Sequence, residues 1–110
     1  MRLMIIGKLG GHLSTAGKIA LEKGIKAETL DTVDQALVNL RTGKGADLIL
    51  IDLSQDLGRF TSSLKIERIH VPVVACGPEG TPAKKAEKAI EDGAQEFITL
   101  PPDPDLIASL

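Results

Sequence analysis

Aromatic residues are scarce in this sequence, which has no Trp or Tyr and only Phe60 and Phe97 among its 110 residues. It therefore lacks the stacking platforms that proteins use to bind single-stranded nucleic acid. Positive charge is not in excess either, because 13 basic and 15 acidic side chains give a formal net charge of −2. Such a chain does not attract phosphate backbones or anionic lipid. The composition predicts no direct binding of nucleic acid or membrane by this segment.

Cysteine and long apolar runs are also lacking. The single Cys76 cannot form an internal disulfide, and no apolar stretch approaches the roughly 20 residues that span a bilayer. The apolar run that ends at Gly7 is too short for a signal peptide. These features predict a cytoplasmic location. A chain of this length fits one domain that removes roughly 65% of its unfolded surface from water.

Five short segments have the apolar or β-branched character of strands, and most read as buried on both faces, as in parallel sheets. Gly77 and Pro78 are expected to break the fourth of them. The predicted strands are Leu3 to Ile6, Lys26 to Leu30, Leu48 to Ile51, Val71 to Cys76 and Glu96 to Leu100.

Helical patterns alternate with these strands, which predicts crossover connections and a doubly wound parallel sheet. The first lies from His12 to Lys23, and the second opens on a capping box from Thr32 to Gln35. The remaining signals are an inner stripe of Phe60, Leu64 and Ile69, a helix from Thr81-Pro82 through Ala86, Ala89 and Ile90 to a capping Gly93, and a helix beginning at Asp103 that is cut off near Leu110.

The ends of the predicted strands carry the candidate functional residues, because ligands of such sheets bind beyond the carboxyl ends of the strands. Asp52 follows the most apolar strand directly and is the only carboxylate at these ends. The other strand ends carry Gly7 with Lys8, Gly77, and Leu100.

Three segments occur in the order found in one known family: Ala46 to Asp52, Val71 to Val74, and Asp92 to Ile98 with Pro101 after it. With them, the whole chain resembles the CheY-like receiver domain of bacterial two-component response regulators. The resemblance implies a flavodoxin-like five-stranded fold whose last helix is truncated.

Two segments, Val73 to Gly77 and Glu96 to Asp103, are similar to the amino-terminal domain of FlbD-type flagellar transcription regulators of the NtrC-like family. That resemblance implies that residues 1–110 are part of a longer regulator. It would carry an ATPase module acting on the RpoN-type sigma factor and a helix-turn-helix DNA-binding domain. It also implies a flagellar-assembly protein as regulatory partner, and homodimer formation is expected as a further property.

The departures from the receiver pattern predict a degenerate site. Receivers hold magnesium with an acidic pair after the first strand, where this chain has Gly7 and Lys8. Gly77 replaces the family's hydroxyl residue, and Leu100 replaces its lysine. No metal or other cofactor is therefore expected. Phe97 matches the family's switch aromatic, although an inward Phe on a central strand is also ordinary core.

Two signalling interpretations follow for Asp52. In the first, a protein partner switches the domain without aspartyl phosphorylation, because the groups that stabilise an acyl phosphate are missing. In the second, Asp52 is still a phosphoacceptor in a phosphorelay. Lys8 is either a substitute for the missing cation beside Asp52 or an ordinary solvated lysine.

Enzymatic alternatives lack their motifs. Gly7, Gly10 and Gly11 lie between a strand and a helix, but neither a dinucleotide fingerprint nor a P-loop is formed. His12 and His70 are isolated from each other, and Cys76 has no partner nearby in sequence. A nucleotide-binding α/β enzyme is thus a remote alternative, and the sequence predicts a regulatory domain without catalysis. The charged residues of the predicted helix after Pro82 are either a solvated face or a partner surface.

Overall fold

The fold is a parallel sheet of five strands, seen in a computed structural model that describes residues 2–7, 22, 24–43, 45–78 and 80–100. The strands are β1 Arg2–Ile6, β2 Lys26–Leu30, β3 Leu48–Asp52, β4 Val73–Pro78 and β5 Glu96–Leu100. Their order in the sheet is β2-β1-β3-β4-β5, which confirms the predicted flavodoxin-like architecture. The predicted helices from His12 to Lys23 and from Asp103 onward lie outside the described residues.

Three helices in the described residues pack on one face of this sheet, and their apolar stripes share a cluster with alternate strand residues. They are α1 Val33–Arg41, α2 Leu57–Ile66 and α3 Ala83–Glu91. On the opposite face a second buried cluster contains Leu3, Ile5, Leu48, Leu50, Val74, Cys76 and Ile98. Burial on both faces explains the continuous apolar character of β1, β3 and β4.

The capping box of α1 takes a slightly different form from the one predicted. The hydroxyl of Thr32 accepts a hydrogen bond from the Gln35 amide at 3.2 Å, as expected of an N-cap residue. The side chain of Gln35 reaches back to the amide of Asp31, at 3.0 Å, one residue before the cap. Both bonds satisfy amides at the start of the helix, which fixes where α1 begins.

The predicted end of the fourth strand, β4, was wrong. The sequence suggested that Gly77 and Pro78 end this strand, yet they pair with Thr99 and Leu100 of β5. The carbonyl of Cys76 faces β3, where it accepts the Leu53 amide at 3.0 Å. Two residues later the Pro78 nitrogen faces the same side, where β3 has already ended. The missing amide of proline therefore costs no bond there.

Ile69 was expected in the inner stripe of the helix that contains Phe60 and Leu64, and this placement was wrong. Ile69 packs against the core from beyond the end of α2, because Arg68 adopts a left-handed conformation at φ 58° and turns the chain. The Ile69 amide then bonds to the Leu64 carbonyl at 2.8 Å, which closes a Schellman motif. Ile90 remains 45% exposed, because α3 buries mainly the small side chain of Ala89.

Candidate functional site

Asp52 ends β3 at the carboxyl edge of the sheet. Asp52 is only 6% exposed, and its Oδ1 accepts a hydrogen bond from the Ser54 amide at 2.8 Å. The Asp52 carbonyl accepts a second bond from the Gln55 amide at 3.0 Å. Because the turn after β3 is closed through both the carboxylate and the carbonyl, the direction of the Asp52 side chain is fixed locally.

Gly7 lies against Asp52, as the adjacency of β1 and β3 predicts. A Cβ atom added to Gly7 would be 2.5 Å from the Cβ of Asp52, closer than real Cβ contacts allow, and 3.1 Å from its Oδ2, which is tighter than most such contacts. Gly7 also has a φ of +99°, which L-residues with side chains rarely adopt. Its amide bonds to the Leu30 carbonyl at 2.9 Å. The position is therefore closed to an acidic side chain unless the backbone moves.

Gly77 is surrounded by side chains from three other segments. A Cβ atom on Gly77 would lie 2.7 Å from Thr81 Oγ1, 2.9 Å from Phe97 Cζ and 3.1 Å from Leu53 Cδ1. The hydroxyl of Thr81 donates to the Pro78 carbonyl at 2.5 Å. The space that a hydroxyl-bearing side chain would need at position 77 is already filled.

The remaining predicted site residues are only partly described. Lys8 lies outside the described residues, so the structure gives no distance between it and Asp52. Leu100 pairs with Pro78 through its backbone, and its side chain lies outside what is described. Phe97 is partly buried and packs against the buried cluster that the three helices share with the sheet, which we call the helix-side cluster.

Two features of the site carried no signal in the sequence. Thr81 was expected only as the residue before a helix, where the structure has it, but its hydroxyl also fills the space over Gly77. Cys76 lies beside Asp52 in the paired register of β3 and β4. Burial, and then the Asp52 charge, raise the pKa of the Cys76 thiol to about 12. Both features depend on contacts between segments that are distant in sequence.

A receiver-type magnesium site does not fit these residues. Magnesium prefers several hard oxygen ligands in near-octahedral order, and Asp52 offers a single carboxylate. Gly7 contributes no side chain, and the described ranges contain no group of three His, Cys, Asp or Glu residues that could hold a metal ion. Chemistry that depends on such an ion therefore has no support from the described residues.

Comparison with known proteins agrees with the fold. Over all 110 residues the chain is 46% identical to the transcriptional regulatory protein FlbD of Caulobacter vibrioides, and it covers 24% of that protein. The chain has the fold of response-regulator receiver domains. No protein-family model matches it. The chain spans about a quarter of the curated relative's length.

Solved structures show the same fold at low sequence identity. The receiver domain of NtrX from Brucella abortus superposes with a TM-score of 0.80 at 20% identity, covering 97% of this chain and 92% of that one. The receiver domain of the Francisella response regulator 1452 gives a TM-score of 0.79 at 18% identity, with 98% and 91% covered. In the described part of the chain, no helix is both long and apolar enough to cross a membrane.

Proposed function

We propose that this receiver domain regulates an RpoN-sigma-dependent transcription regulator of flagellar genes, and that a protein partner switches it without phosphorylation of Asp52. The observation that carries the proposal is the contact between Gly7 and Asp52, because it closes the position where receivers place a magnesium ligand. The 46% identity to FlbD supports the regulatory and flagellar context.

The proposal extends to the protein around this domain. The chain covers only 24% of FlbD, which supports a longer regulator with an attached ATPase module and a DNA-binding domain. The domain itself is proposed to be non-enzymatic, cytoplasmic and free of cofactors. A flagellar-assembly protein is the proposed partner, and the regulator is proposed to form a homodimer.

Two further positions support the loss of phosphoryl chemistry. Transfer to an aspartate needs groups that stabilise charge on the phosphoryl oxygens. Position 77 has no hydroxyl, and its surroundings leave no room for one. Position 100 is a leucine instead of a lysine. An acyl phosphate on Asp52 would therefore lack three of its usual stabilising interactions.

The alternative function is that of a phosphorylatable receiver, and one observation favours it. Asp52 borders an open cleft that Thr81 and Lys85 also line, so a donor could approach this edge of the sheet. Lys88 also lines this cleft but is paired with Asp92 at 2.8 Å, so Lys85 is the lysine that could supply a positive charge to a phosphoryl group. This alternative and the proposal make opposite predictions for an acyl-phosphate mimic.

Beryllofluoride with magnesium distinguishes the two functions. We expect no saturable change in the amide signals of Gly7, Asp52 and Ser54 when the 110-residue chain is titrated and followed by NMR. A receiver domain with an acidic pair and a β5 lysine serves as the positive control. Saturable, magnesium-dependent shifts that disappear in Asp52→Asn would establish the phosphorylatable receiver instead.

The longer regulator provides a second test. We expect Asp52→Asn to leave activation of its target genes within about twofold of the unmodified protein, because the switch does not use the carboxylate. Asp56→Asn is a matched control, since Asp56 lies in the next loop and caps α2. A loss of activation that is specific to Asp52→Asn would contradict the proposal.

A further inference from the structure

Position 77 requires glycine because neighbouring side chains leave no room for a Cβ atom, and not because of its backbone conformation. Its φ is not among the positive values that the chain's other constrained glycines adopt. Side chains from three segments instead converge above its Cα: Leu53 from the loop after β3, Thr81 from the loop after β4, and Phe97 from β5. Any side chain at position 77 must displace at least one of them.

The three atoms nearest to a Cβ at position 77 do not belong to Asp52. Strand alternation puts position 77 on the face of Ala75, which belongs to the helix-side cluster against which Phe97 packs. Asp52 follows Leu50, which belongs to the cluster on the opposite face. The nearest atoms to position 77 accordingly come from Thr81, Phe97 and Leu53 alone. The packing of Phe97 is thus set apart from the Asp52 carboxylate.

The same packing holds the start of α3. Thr81 bonds to the Pro78 carbonyl twice, through its hydroxyl at 2.5 Å and its amide at 3.1 Å. The N-cap residue, Pro82, supplies no side-chain hydrogen bond to the helix. The position of the first turn of α3 therefore depends on the loop that Thr81 anchors, and Thr81 in turn fills the space over Gly77.

We propose that Gly77 is a positioning residue that fixes the Phe97 ring and the loop before α3 in one arrangement, which a protein partner meets whether or not Asp52 is modified. The role of the partner rests on the proposed function. The arrangement itself does not, because it follows from contacts among Gly77, Thr81 and Phe97. Exposed Lys84 and Lys85 lie just beyond this loop, on the first turn of α3.

Phenylalanine labelling tests the arrangement directly, because the chain contains only Phe60 and Phe97. We expect the ¹³C-labelled 110-residue chain to show one set of Phe97 ring signals, with nuclear Overhauser contacts to the α-protons of Gly77. Addition of beryllofluoride and magnesium should leave these signals in place. Two sets of Phe97 signals, absent contacts to Gly77, or movement on addition of the mimic would overturn the inference.

Gly77→Ala tests the role of the glycine. We expect its Phe97 ring signals to shift beyond the linewidth, while those of Phe60, which is fully buried elsewhere, stay in place. Gly45→Ala is the matched control, since Gly45 has no atom within 4 Å of its Cβ position and no positive φ. Unchanged Phe97 signals in Gly77→Ala would overturn the inference.

A double-mutant cycle covers the case in which Gly77→Ala fails to fold. Phe97→Leu removes the Cζ atom 2.9 Å from the new Cβ and leaves Thr81 Oγ1 at 2.7 Å, so we expect Gly77→Ala to lower the urea midpoint less in that background, or to fold only there. Equal losses in both backgrounds would refute the coupling. Binding of beryllofluoride without movement of Phe97 would refute the proposed function alone, which keeps the two failures separate.

Discussion

Arg41 and Glu67 join the carboxyl ends of α1 and α2 through a bidentate ion pair. The Nε and Nη2 atoms of Arg41 donate to the two carboxylate oxygens of Glu67 at 2.6 and 3.0 Å. The two residues are 26 positions apart, so the pair fixes one helix relative to the next. This geometry holds two long side chains in the bidentate form that carboxylates favour.

The Arg41 pair predicts the pH dependence of one carboxyl group. The hydrogen bond from Arg41 lowers the pKa of Glu67 below its ordinary value. A lowered folded-state pKa adds stability above the unfolded pKa, and this stability is lost as the pH falls through the folded pKa. In an NMR titration we expect the Glu67 midpoint to lie below that of an unfolded Glu and to return to it in Arg41→Gln.

Arg59→Gln is the control for that titration, because Arg59 pairs with Asp34 between the same two helices and leaves Glu67 untouched. The Glu67 midpoint should not change in this variant. Raised salt should move the Glu67 midpoint upward in the unmodified domain, since the pair is exposed to solvent. A Glu67 midpoint that is the same with and without Arg41 would show that the pair does not form in solution.

Replacement of Gly7 by alanine should destabilise the domain more than replacement of another glycine with positive φ. Gly7→Ala should lower the free energy of unfolding by about 1–3 kcal/mol for the positive φ and by a further 1–3 kcal/mol or so for the contact with Asp52. Gly43→Ala is the matched control, because Gly43 has φ +85° but no atom within 4 Å of its Cβ position. Urea unfolding of both variants measures the difference. Equal losses would mean that Gly7 and Asp52 are not in contact.

The strands were predictable from sequence because each is a short apolar or β-branched run with a clear end. β2 and β5 have the predicted bounds, and the other three strands differ only at their ends. The contact of Gly7 with Asp52 was not predictable in its geometry, because it depends on how closely β1 approaches β3. Sequence patterns identify which residues share an edge, and the distances between them come from packing.

The thiol of Cys76 should be unreactive in the folded domain. With its pKa raised to about 12, the native thiol should react with Ellman's reagent on the order of a thousandfold more slowly at pH 8 than the urea-unfolded chain. Asp52→Asn should lower this pKa and speed labelling, yet burial is the larger cause and keeps the thiol slow. Native labelling as fast as in urea would show that β4 is not buried beneath its neighbours.

Replacement of Arg68 by glycine should stabilise the domain. Arg68 holds φ 58° after α2, and its amide bonds to the Lys65 carbonyl at 3.2 Å within the Schellman motif. Because left-handed backbone costs a side-chain-bearing residue about 1 kcal/mol that glycine avoids, Arg68→Gly should raise the free energy of unfolding by about 0.5–1 kcal/mol.

Lys65→Gly is the control for Arg68→Gly. Lys65 lies three residues earlier, in the last turn of α2, and its replacement by glycine should lower the free energy of unfolding by about 1 kcal/mol. The opposite signs are diagnostic, since both variants remove one exposed positive charge and add one glycine. Urea unfolding at constant ionic strength measures both, and a loss of stability in Arg68→Gly would show that α2 does not end in this motif.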